Sequence, residues 1–98
     1  MGGAPQTYRR SGDVVFRKIL DEHMLVPVRG KVADMQRVFA LNPVGAAIWE
    51  ALDGARDVAA IAEHIAHLFT VEHSAAMADV ERFLGELRRE GLIEAGGG

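Results

Sequence analysis

Apolar and polar positions change their period once along this chain, near Asn42. Before it, short runs are β-branched or alternate with a period of two. After it, apolar residues recur every three or four positions. The first run, VVFRKIL (14–20), predicts a strand with one wet face, because Phe16 and Lys18 alternate with Val15, Arg17 and Ile19. Asp21, Glu22 and His23 read as a polar turn. MLVPV (24–28) predicts a second strand. Pro27 lacks an N–H, which places this strand at an edge or breaks it there. Residues 30–36 (GKVADMQ) read as a loop and RVFAL (37–41) as a third strand. Successive short strands with short links favour an antiparallel meander.

The helical half opens with LNPVGAAIWEALDG (41–54). Asn42 suits an N-cap. Pro43 suits the first helical position, where no N–H is needed. Val44, Ala47, Ile48, Ala51 and Leu52 fall on one face, with Trp49 beside them. Asp53-Gly54 reads as the stop. Asp57 is expected to cap a second helix over 58–69, with an apolar stripe of Val58, Ile61, Ala62, Ile65, Leu68 and Phe69. Ser74 is expected to cap a third over 75–90, with Met77, Val80, Leu84 and Leu87 as its stripe and Phe83 widening it. Gly85 would cost about 1 kcal/mol against Ala inside that helix unless something packs closely on it. Gly91 ends it. LIEA (92–95) reads either as a last short strand or as a chain end tucked onto the core.

The expected fold is α+β, a three-stranded antiparallel sheet followed by a three-helix bundle of winged-helix type. The expected organisation is a flexible N-terminal tail (1–12), one domain (13–94) and a Gly-rich tail (95–98). A chain of 98 residues accommodates one core, and an apolar fraction of 49% with net charge -3 is compatible with folding. The absence of cysteine removes disulfides and thiol chemistry. No apolar run has the length of a membrane span and no secretory h-region opens the chain, so the expected location is cytoplasmic, away from membranes. The acidic balance gives no nucleic-acid footprint.

Candidate chemistry is sparse. His64 and His67 lie three apart, but no further ligand stands at a recognised spacing, so they read as solvated and no metal site is expected. Ser11, Ser74, Thr7 and Thr70 lack a nucleophile turn, and no phosphate loop follows a strand. No catalytic residues and no cofactor are therefore expected. The terminal glycines suggest the tail of a sulfur carrier, but three successive helices do not fit a β-grasp fold. A winged-helix nucleic-acid-binding or regulatory protein is the alternative. Against it, the third helix carries Asp79, Glu81, Glu86 and Glu90 beside Arg82, Arg88 and Arg89, which leaves little net grip on phosphate. The sheet edge is more suggestive, because an exposed edge is a template for an extended peptide. The third helix would form one wall of such a groove. Phe83 either lines it or belongs to the core.

Four ordered segments carry a family resemblance: RVFA, then LNPVGAAIWEALDG, then VAAIAEHIAHLFTV, then DVERFLGELRREGLIE. Together they resemble the PqqD-like family, in which a Leu-Asn-x-x-Gly run typically leads to an Ile-Trp pair and a closing Asp-Gly. The resemblance spans residues 13–94. It implies a peptide-binding module, the recognition element of ribosomally made, modified peptides. Such a module holds the leader of a precursor peptide by strand addition and presents it to a modifying enzyme, often a radical SAM protein, or to a leader protease. The LNPVG form resembles the free-standing members, including those beside lasso-peptide proteases, more than the quinone-pathway protein. Carried onto this chain, the resemblance implies an edge of Arg37, Val38, Phe39, Ala40 and Leu41. It implies a wall drawn from Met77, Val80, Arg82, Phe83, Glu86 and Leu87. An exposed edge also leaves open a homodimer by strand pairing or exchange.

Overall fold

The computed structural model describes residues 6–29 and 38–95. Its order is β1 (Thr7–Arg10), β2 (Val14–Ile19), β3 (Glu22–Pro27), β4 (Phe39–Leu41), α1 (Pro43–Ala51), β5 (Asp53–Asp57), α2 (Val58–Phe69), α3 (His73–Arg89) and β6 (Ile93–Ala95). The α+β class is as expected, with three helices after a three-stranded antiparallel sheet, β2-β3-β4. A second three-stranded sheet, β5-β1-β6, was not anticipated.

The meander holds its register over its whole length, from Val14 opposite Pro27 to Ile19 opposite Glu22. Its turn is tighter than the polar residues suggest. Leu20 takes φ 58° and is 91% exposed, so the chain reverses over Leu20 and Asp21. Glu22 and His23 are thereby released into β3, where the His23 ring stacks on Phe16 at 5.4 Å. Pro27 closes β3, which is the central strand and not an edge. At a terminal position the missing N–H removes no interior ladder bond. Leu25, fully buried, anchors this sheet on the core.

Asn42 and Asp57 cap as expected. Gly45 N–H donates to Asn42 Oδ1 at 2.7 Å, and Ala60 N–H donates to Asp57 Oδ1 at 2.8 Å. Ser74 is no cap. α3 starts two residues earlier, at His73, Glu72 holds the N-cap position, and its side chain makes no capping bond. Asp53-Gly54 does more than stop α1. The helix ends at Ala51, and the pair opens β5, with Gly54 at φ 85°.

The expectation of a frayed tail over 1–12 fails for its second half. Tyr8 is buried, and β1 is the middle strand between β5 and β6. Arg10 reaches back to the end of α1, donating from Nε to Trp49 O (3.1 Å) and from Nη2 to Glu50 O (2.9 Å). Its guanidinium also lies 5.9 Å from the Trp49 ring centroid. Ser11 N–H donates to Leu92 O at 3.0 Å. The two Arg10 bonds go to carbonyls in the last turn of α1, which a helix end leaves open to outside donors. Ile93–Ala95 forms the last strand; residues 96–98 of the expected Gly tail lie outside the described residues, as does the loop over 30–36.

The core joins Trp49 and Ile48 of α1, Ile61 and Ile65 of α2, Val80, Leu84 and Leu87 of α3, and Leu92. It lies between the three helices and both sheets.

Candidate functional site

A groove runs between β4 and α3. β4 pairs with β3 on one side, through Phe39 opposite Leu25, Ala40 opposite Met24 and Leu41 opposite His23. Among the described residues no strand lies on its other side. There the surface falls into two adjoining depressions of about 320 Å³ each. The first is bounded by Leu41, Asn42, Val44, Gly45 and Ile48 at the entry to α1, and by Asp79, Arg82, Phe83 and Glu86 of α3. The second is bounded by Phe39, Leu87, Arg89, Glu90 and Leu92. Ala40, Leu41, Phe83 and Glu86 belong to both, so the two form one trough along the strand.

Helical periodicity sets this wall. Ala76, Val80, Leu84 and Leu87 face inward and are buried, which turns Arg82, Phe83 and Glu86 onto the adjacent face. Phe83 is half-buried and packs against the core while its ring fronts the trough. Gly45 makes room for that ring. A Cβ added at Gly45 would lie 3.3 Å from Phe83 Cζ and 3.3 Å from Asn42 Oδ1. The glycine of the Leu-Asn-x-x-Gly run is thus explained by the wall it lets approach. Asp79 and Arg82 pair at 3.4 Å on the exposed rim, a contact worth little by itself.

Of the residues expected at the site, Phe39, Ala40, Leu41, Arg82, Phe83, Glu86 and Leu87 line the trough. Val80 does not; it is fully buried in the core. Met77 packs on the core and lines neither depression. Val38 precedes β4 and is 57% exposed. Arg37 lies outside the described residues. The residues not anticipated come from α1 (Val44, Gly45, Ile48), the cap Asn42, and Asp79, Arg89, Glu90 and Leu92. The signal for the α1 group was present: an N-cap next to a strand end must place the first helical turn beside that strand.

His64 and His67 are exposed on α2, and no group of three or more potential metal ligands occurs among the described residues. On α3, Arg82 is held by Asp79, and Arg88 lies 5.7 Å from the centroid of the Tyr8 ring. Two of the three arginines that a nucleic-acid reader would present are thus engaged within the chain.

The PqqD family model, described as coenzyme PQQ synthesis protein D, matches residues 22–93. The chain belongs to the PqqD family. No curated protein matches it. Among solved structures, it is similar to one described as TbiB1 in complex with the TbiA(beta) leader peptide, at 26% identity and a TM-score of 0.73. That similarity covers 92% of this chain and 99% of the other. The family match begins at Glu22, so β1 and β2 lie before it, although β1 supplies the middle of one sheet. Among the described residues, no helix of this PqqD-family chain is long and apolar enough to cross a membrane.

Proposed function

We propose that this protein binds the leader segment of a ribosomally synthesised precursor peptide in the trough between β4 and α3. It then presents that peptide to a modifying enzyme, of the radical SAM or leader-protease class, without itself making or breaking a bond. The observation that carries the reading is the geometry of one edge: Phe39–Leu41 ends the sheet beside an apolar wall built on Phe83 and Leu87. Family membership and the similarity to a leader-bound protein support it.

The physics of strand addition suits the task. Main-chain hydrogen bonds along the edge give affinity with little sequence demand, and alternate side chains entering the two depressions give selectivity. Ordering a flexible leader offsets part of the gain, so micromolar to sub-micromolar binding is expected, on the order of -8 kcal/mol. The same edge is where two copies would pair in the absence of peptide, and the two events would compete.

The test is an amide-shift titration of the labelled protein with the leader of a precursor encoded beside it. Shifts should concentrate at residues 39–41 and 82–89. Saturable binding that leaves both stretches unmoved would overturn the assignment of the trough.

A further inference from the structure

The position of one carboxylate selects the kind of peptide the trough takes. Glu86 borders both depressions, so an extended segment cannot run the length of the trough without passing it. Its neighbours do not neutralise it. Arg82 stands one turn earlier, at the spacing where it could pair with Glu86, but its Nη2 is on Asp79 at 3.4 Å. Arg89 stands three residues later and borders the second depression, but its Nη1 lies 4.0 Å from the point a Cβ on Gly85 would occupy, and among the described residues it makes no ion pair with Glu86. Among the described residues no ion pair or side-chain hydrogen bond reaches the Glu86 carboxylate.

In the free protein this is harmless, because Glu86 is exposed and hydrated. A strand laid on β4 changes that. It covers the middle of the trough, between Phe83 on one side and Leu87 on the other, and strips water from the carboxylate. Covering an ionised carboxylate without a partner is costly. A ligand that supplies a cation or strong donor at that point avoids the cost, and one with an acidic residue there adds repulsion.

We infer that Glu86 is a specificity-determining residue, and that the leader segment this protein takes carries a lysine or arginine in register with it. Apolar side chains two residues to either side would occupy the two depressions, since alternate residues of a strand share a face. This rests on the peptide-binding reading above.

The experiment is a selection from a displayed library of random twelve-residue peptides on the full-length protein, repeated on Glu86→Gln, Glu86→Lys and Phe83→Ala. Glutamine and lysine are good helix formers on an exposed face, so both Glu86 variants should fold; circular dichroism checks this. The expected result is a set of wild-type binders that Phe83→Ala loses, enriched in one basic residue flanked at two-residue spacing by apolar ones. Their affinity should fall roughly tenfold on Glu86→Lys, and an acidic residue at the basic position should restore it. Phe83-dependent binders with no basic preference, unchanged on Glu86→Lys, would overturn this inference and leave the peptide-binding reading standing. Binders indifferent to Phe83, or no binders, would overturn both.

Discussion

The two sheets treat their edges in opposite ways. At the edge of β5-β1-β6, the strand Asp53–Asp57 carries three charged residues in five, and the ladder to β1 is irregular between Thr7 and Arg9. Asp53 Oδ1 accepts the N–H groups of Ala55 (2.9 Å) and Arg56 (3.0 Å), so these two donors are satisfied within the strand. The β2 edge of the other sheet carries Arg17 and Lys18. These are the means by which proteins blunt an edge: charge, irregularity and satisfied backbone. The β4 strand carries no charged residue, and its ladder to β3 is regular. It reads Phe39-Ala40-Leu41 and opens onto a trough lined by both apolar and charged side chains. Of these three edges, the two charged ones belong to the scaffold, and the β4 edge is the one at which the proposed strand addition would take place.

The most severe way to break the scaffold side is at β1. Tyr8 is 8% exposed on the middle strand, beneath Arg88. Tyr8→Ala should cost about 3 kcal/mol of unfolding free energy, the usual scale for deleting a buried ring. Urea denaturation followed by circular dichroism measures it. A change within about 0.5 kcal/mol would mean that β1 is dispensable. On the receiving side, Phe83→Ala should cost less stability, because the ring is only half-buried, and weaken leader binding by roughly tenfold or more. An affinity loss that merely tracked the stability loss would argue that Phe83 is core and not wall.

Much of this division was legible in the sequence. The strand-to-helix change at Asn42, the Asn-Pro start of α1, the Asp57 cap and the α2 and α3 stripes follow local rules and fall where those rules put them, except Leu68, which the α2 stripe included and which is 55% exposed near the helix end. What escaped is non-local. TYRR has neither length nor alternation enough to announce a strand; it is one because β5 and β6 flank it. DGARD reads as a turn because Asp, Gly and Arg disfavour strands, and only pairing with β1 extends it. At the trough, α3 periodicity places Phe83 and Glu86 well, but a flat list of apolar residues mistakes Val80, which faces the core, for wall. The contribution of α1 follows from the Asn42 cap standing directly after the end of β4, a junction that residue spacing within either element does not show.

Two glycines sharpen the comparison at a finer scale. Gly45→Ala gains helix propensity of about 1 kcal/mol but places a methyl 3.3 Å from the Phe83 ring, which must give by a few tenths of an ångström. Stability should therefore change by less than about 1 kcal/mol while leader affinity falls several-fold, because the displaced ring is the wall. Gly85→Ala meets only the flexible end of Arg89 at 4.0 Å, so it should stabilise by roughly 0.5–1 kcal/mol and leave affinity unchanged. Parallel thermal melts and binding titrations of the two variants separate these outcomes. Equal effects on affinity would show that the Gly45 contact with Phe83 does not shape the trough.

The smallest expected effect concerns how the β5 edge stays closed. The hydrogen bond from the Ala55 N–H, then that from the Arg56 N–H, hold the Asp53 carboxyl below its ordinary value, with the Arg56 charge adding to them. The folded state therefore favours the ionised form. Its contribution is present in full above the unfolded value of about 3.9 and is lost as pH falls through the lower folded value. Asp53 is exposed, so the consequence is local. Protonation should release the Ala55 and Arg56 amides and leave the core intact. Amide exchange followed by NMR from neutral pH down to about pH 3 should show these two amides losing protection relative to those of β1 and β3, after correction for intrinsic exchange. Asp53→Asn should show the loss already at neutral pH, since a neutral amide is the weaker acceptor. If protection at Ala55 and Arg56 survives both acid and the substitution, the edge is closed by the strand's irregular register and not by the carboxylate.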